Sequence, residues 1–73
     1  MQDTEKRSAL ERFLWENKIT HAALAEASGV SRTTIWQLIK GNVTEEPKRA
    51  VTEALLRYAH AYDVPFDAEE IWT

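Results

Sequence analysis

Residues 20–42 read THAALAEASGVSRTTIWQLIKGN, and this stretch decides the fold. It holds two short amphipathic segments separated only by Ser28, Gly29 and Val30. Thr20 stands before the first segment, where a side-chain oxygen can accept from a free amide of the first turn. Ile19 and Leu24 flank it at the spacing of a hydrophobic staple, which fixes the angle at which the chain enters the helix. That helix is predicted to end near Ala27, and Gly29 can take the left-handed conformation that closes a helix at low steric cost. Ser31 then caps a further helix, with Val30 and Ile35 as a second staple. It is predicted to end at Lys40, with Gly41 as its C-terminal cap. Two helices joined by so short a turn must cross steeply. Such a crossing needs a small residue where the axes approach, a glycine in the turn, and apolar side chains that seal the inner side. Ala25, Gly29 and the set Leu24, Val30, Ile35 and Leu38 supply these.

The helical period continues outward in both directions, and nowhere do four or more residues alternate as in a half-buried strand. A first helix is expected from about Thr4 to Glu16, capped by Asp3 or Thr4, with Leu10, Phe13, Leu14 and Ala9 on one face and Trp15 at the core margin. Asn17 and Lys18 form its exit. A fourth helix should start between Thr44 and Pro47: Thr44 can cap, Glu45 and Glu46 favour the positive end of the dipole, and proline is tolerated in the first turn. Its apolar stripe is Val51, Ala54, Leu55, Tyr58, Ala59 and Tyr62. Asp63, Val64 and Pro65 break it, and Asp67 with Glu70 reads as the cap of a short terminal helix carrying Ile71 and Trp72. The expectation is an all-α fold, a compact bundle of about five short helices in a single domain over residues 1–73, with a central helix-turn-helix over residues 20–40.

Composition narrows the function. The chain has 73 residues and no cysteine, so it holds one modest core and neither a disulfide framework nor a thiolate metal site. No apolar run exceeds the four residues 22–25, against roughly 18 for a membrane span, and the N-terminus has no apolar signal region. A soluble, cytoplasmic protein is expected. His21 and His60 lack the spacing of a metal pair, no nucleophile–base pair stands out, and two glycines cannot build a phosphate-cradling loop. Neither an enzyme, a cofactor nor a metal is therefore expected. The net charge of −3 argues at first against a nucleic-acid partner, but the charge is uneven. Residues 30–49 carry four basic and two acidic side chains, whereas residues 50–73 carry one and five. The middle segment is a local basic patch of Arg32, Lys40, Lys48 and Arg49.

On the core LAEASGVSRTTIWQLIKG and the closing YAHAYDVPFDAEEIW, the chain resembles the helix-turn-helix regulators of the phage repressor and Cro family, also called the xenobiotic-response-element family. The likeness extends from Leu10 to about Trp72 and implies a lambda-repressor-like DNA-binding domain. It places the recognition helix at residues 31–40, lying in the major groove. Ser31, Arg32, Thr33, Trp36 and Gln37 are then the outward, base-reading positions, with Ile35 and Leu38 facing inward. The chemistry suits the role: Arg32 can pair with guanine O6 and N7, Gln37 with adenine N6 and N7, and Thr33 can meet a thymine methyl. Thr20 and His21, at the free amides of a helix start, together with Lys40, Asn42, Lys48 and Arg49, are the candidate phosphate contacts.

The chain also departs from the family pattern. Ser28 occupies a position that is usually apolar, which predicts a less well sealed turn. The loop NVTEEPKR carries Glu45 and Glu46 where more basic residues are usual. Trp36 is a large aromatic at an outward position, suited either to stacking on sugars and thymine methyls or to anchoring a protein partner. The expected function is a sequence-specific transcriptional regulator of phage or mobile-element type, a repressor that binds double-stranded operator DNA as a homodimer. Ile71, Trp72 and the rim of the fourth helix are expected to supply the two-fold surface. The alternative is a protein-interaction module on the same fold, an antitoxin or antirepressor subunit gripping a partner through Trp36 or the acidic C-terminal segment.

Overall fold

Capping residues decide where the helices begin. Ser8 Oγ accepts from the Glu11 amide at 3.1 Å, Thr20 Oγ1 from Ala23 at 3.0 Å, Ser31 Oγ from Thr34 at 3.1 Å, and Asp67 Oδ1 from Glu69 at 3.0 Å. Each satisfies one amide that its helix leaves unpaired. The computed structural model describes residues 8–72, and among these there are five helices and no strand. They are α1 (Ala9–Glu16), α2 (His21–Ser28), α3 (Arg32–Lys40), α4 (Glu45–Tyr62) and α5 (Ala68–Ile71). The helix expected from about Thr4 is corrected: Ser8, inside that span, is extended at φ −66° and ψ 159° and caps α1, which begins at Ala9, while Asp3 and Thr4 themselves lie outside the described residues. Thr44 stands at the cap position of α4 but makes no side-chain cap bond. Glu45, Glu46 and Pro47 fill the first turn instead, two carboxylates at the positive dipole end and a residue with no amide to leave unpaired.

The helix exits are equally local. The Gly29 amide donates to Ala25 O at 2.8 Å with φ at +78°, and Gly41 closes α3 at +106°. A Cβ built at Gly29 would meet nothing within 4 Å. The glycine is thus required by the left-handed backbone and not, as the steep crossing suggested, by close packing. Lys18 at +58° and Asp63 at +57° adopt the same region after α1 and α4. Ser28 does not leave the turn unsealed: its Oγ donates to Leu24 O at 2.7 Å and accepts from the Val30 amide at 3.4 Å. These hydrogen bonds hold the turn.

All five helices contribute to one core. Leu10 and Leu14 of α1, Leu24 of α2, Ile35, Leu38 and Ile39 of α3, Val51, Ala54, Leu55 and Ala59 of α4, and Ile71 of α5 are buried. Ile35 and Val51 are wholly so, and burying a side chain of that size contributes roughly 1.5–3 kcal/mol. Two expectations are corrected here. Tyr62 follows the apolar stripe of α4 but is 68% exposed, its ring 4.8 Å from that of Tyr58, while Ala59 of the same turn is buried. Ile71 is only 7% exposed, and Trp72 Nε1 donates to Thr52 Oγ1 at 2.8 Å. The segment carrying α5 must bury its own apolar side chains, which it does against α1, where Phe66 meets Phe13 edge-on at 5.4 Å. Ile71 is therefore core, not free surface for a second copy, and Trp72 is half-buried at its edge. No helix among the described residues is long and apolar enough to cross a membrane.

Candidate nucleic-acid interface

The inward face of α3 fixes its outward one. With Ile35, Leu38 and Ile39 in the core, the helical period leaves Arg32, Thr33, Trp36, Gln37 and Lys40 exposed on the opposite side, while Thr34 is half-buried. Three of these, Arg32, Thr33 and Trp36, share an open groove of about 590 Å³ with Thr20, His21 and Ala22 from the start of α2. α2 and α3 pack against each other, which is what brings the two sets together across the turn.

Trp36 is the centre of this surface. It is 46% exposed; the His21 ring lies 5.8 Å away on one side, and the Lys40 Nζ sits 5.9 Å from the indole centroid. An ammonium at that distance from an exposed indole contributes about 0.5–1 kcal/mol, so the ring and the cation hold each other in place. At the start of α2, Thr20 Oγ1 takes the Ala23 amide and Thr20 O takes the Leu24 amide at 3.0 Å. The His21 and Ala22 amides are the donors left for an anion at this positive dipole end.

The remaining candidates divide. Ser31 is exposed, but its Oγ is engaged by the Thr34 amide and by Thr34 Oγ1 at 2.9 Å, so its hydroxyl is chiefly a helix cap. Gln37 Oε1 accepts from Asn42 Nδ2 at 2.7 Å, which joins a predicted base reader to a predicted phosphate contact. Lys48 is half-buried and lines a separate cleft with Thr52, Ala68, Glu69 and Trp72. That position follows from the register of α4: Lys48 lies one turn before Thr52, on the flank that α5 covers. Arg49 is exposed on α4 and does not line the groove. The basic patch of the sequence is thus split, with Arg32 and Lys40 on the α3 surface and Lys48 beside the acidic α5.

Sequence reasoning missed Ile39 as a core residue and missed the Gln37–Asn42 pair. The first was legible in the spacing of Ile35, Leu38 and Ile39; the second follows from the turn at Gly41, which brings the Asn42 amide back to Gln37 O at 2.9 Å. Among the described residues no group of His, Cys, Asp or Glu is placed to hold a metal ion. No protein-family model, no curated protein and no solved structure matches the chain. The functional reading therefore rests on the residues and their placement.

Proposed function

We propose that the protein is a sequence-specific DNA-binding transcriptional regulator, with α2 and α3 as a helix-turn-helix and α3 as the helix that enters the major groove. The observation that carries this reading is the shared groove of Thr20, His21 and Ala22 with Arg32, Thr33 and Trp36, flanked by Lys40. It sets amide donors for a phosphate beside a row of side chains suited to base edges, which is the division of labour between positioning and reading that DNA recognition needs. Arg32, Thr33 and Gln37 are the base readers; Trp36 packs on sugar or thymine methyls; the start of α2 and Lys40 hold the backbone.

In this reading two copies bind a near-palindromic operator, with recognition helices about one turn, ~34 Å, apart, and repression follows from occupying a promoter. With Ile71 built into the core, Leu56 and Tyr62 on α4, 49% and 68% exposed, are the part of the expected two-fold surface that stays open, and Trp15 on α1 is exposed to the same degree at 69%. Few cations reach the DNA from each copy, so non-specific affinity is expected to be weak.

The test is retardation of DNA over a range of salt. Affinity that falls with a slope near −0.9 for each phosphate neutralised supports the regulator. No binding at low salt overturns it and favours the second reading, a protein-interaction module, for which the exposed Trp36, with His21 and Lys40 each within 6 Å of its ring, is the specific observation.

A further inference from the structure

The DNA-binding reading makes no use of a second cleft, between α2 and α4. It has a volume of about 390 Å³, in the range of pockets that take small molecules. Its floor belongs to the core, since Leu24, Ala54 and Leu55 are all buried. Ala23 and Ala27, exposed and one turn apart on α2, form one wall, and a long side chain at either position would occupy the space. Tyr58 and Tyr62 line it from α4, their rings 4.8 Å apart. The turn between α1 and α2 closes one end, where the Tyr58 hydroxyl donates to Asn17 O at 3.4 Å. A closed apolar cavity of about 150 Å³ already admits benzene, so this cleft has room for a ring and a short polar arm.

Lys18 gives the cleft its charge. Among the described residues that line it, this lysine is the one charged side chain; it is exposed, and its ammonium makes no ion pair among the described residues. The closure of α1 sets it there: the Ile19 amide donates back to Leu14 O at 2.8 Å, with Lys18 at φ +58°. Left-handed backbone favours glycine, so the lysine stands at the end of the cleft at a torsional cost that glycine would avoid.

We infer that this cleft binds a small aromatic monocarboxylate, with its ring between the alanines of α2 and the tyrosines of α4 and its carboxylate at the Lys18 ammonium. The ring gains by burial against apolar walls and by edge-on contact with a tyrosine. One cation matches one negative charge. A phosphate monoester would bring a second charge against walls that offer it no partner. The cleft shares no lining residue with the groove of α2 and α3, so the inference stands apart from the DNA-binding reading.

The test is a titration of phenylacetate into isotope-labelled protein, followed by amide shifts in NMR spectra. Acetate probes the charge without the ring, and phenylacetamide the ring without the charge. Phenylacetate should bind with a Kd of about 1 mM, the affinity expected of about ten heavy atoms, and shift the residues of the cleft alone. At about ten times that concentration it should raise the melting temperature by roughly 6–11 °C over equal acetate. Phenylacetamide should bind roughly 2- to 5-fold more weakly, and Lys18→Gln should make the two ligands equal. Ala27→Leu, at an exposed helical position that tolerates the larger side chain, should keep the circular-dichroism spectrum and lose phenylacetate binding.

Shifts spread over the whole surface, or undiminished in Ala27→Leu, would overturn the site. Equal affinity of the wild-type protein for phenylacetate and phenylacetamide would overturn the role of Lys18 and with it the ligand class. Resonances of Ala23, Ala27 and Tyr62 that move with protein concentration and ignore phenylacetate would show a second copy covering the cleft, which also overturns the inference. None of these measurements involves DNA, so failure here and failure of the regulator reading are separate results.

Discussion

Replacing Gly29 by alanine separates the two reasons a turn can require glycine. The Cβ meets nothing within 4 Å, so no steric cost arises, but φ is +78° and the whole effect is torsional. An L-residue in the left-handed region costs about 1–2 kcal/mol, and alanine recovers about 0.4–1 kcal/mol by restricting the unfolded chain. Gly29→Ala should therefore destabilise by about 0.5–1 kcal/mol. Gly41, at φ +106° and ψ −4°, lies farther from the left-handed minimum near +57° and +47°, so Gly41→Ala should cost more, about 1–2 kcal/mol.

Lys18 supplies the same physics with the opposite sign. Its φ is +58°, and Lys18→Gly should stabilise by about 0.5–1 kcal/mol. For a domain of this length about 1 kcal/mol moves the melting temperature by roughly 4–8 °C, so circular-dichroism melts and urea titrations resolve all three variants. A loss near 3 kcal/mol in Gly29→Ala would refute the torsional account, because only a packing clash reaches that size. Lys18→Gly that destabilises would refute the positive φ after α1.

Further outcomes are expected from the same geometry. Ile35→Val should cost about 0.5–1.5 kcal/mol in a urea melt, because Ile35 is fully buried, whereas its exposed neighbour in Trp36→Ala should cost less than about 1 kcal/mol. Arg32→Ala should lose about 1–3 kcal/mol at one base position in binding titrations; Lys40→Ala should weaken every DNA sequence alike and flatten the salt slope by about 0.9 per copy. Identical behaviour of these two variants would sink the sorting of readers from backbone contacts. Trp72→Phe deletes the bond to Thr52 and should cost about 1 kcal/mol of stability while leaving the sedimentation behaviour unchanged. A shift toward monomer in that variant would return Trp72 to the two-fold surface.

How far the sequence was legible varies from residue to residue. Thr20, Ser31 and Asp67 were readable as caps because capping is a contact between a side chain and an amide two or three residues away. Gly29 and Gly41 were readable as closures for the same reason. Thr44 was read rightly as the cap position of α4, but its side chain makes no cap bond. Tyr62 and Ile71 were misjudged because helical phase says which way a side chain points, and not whether another element lies there to cover it. Lys48 and Arg49 joined the basic patch by adjacency in the chain, yet Lys48 lines a cleft beside α5 and not the groove of α2 and α3.

The amino-acid sequence by itself determined the five helices, their ends save the start of α1, and the outward row of α3, because each depends on interactions within a turn or two and on a period fixed by the backbone. Tertiary structure alone decided which of these surfaces exist together. The packing of α2 on α3 joins Thr20 and His21 to Arg32 and Trp36 in one groove, and the docking of α5 turns Ile71 from presumed interface into core. Burial and juxtaposition are set by residues far apart in the chain competing for the same apolar surface, a competition that no local pattern encodes.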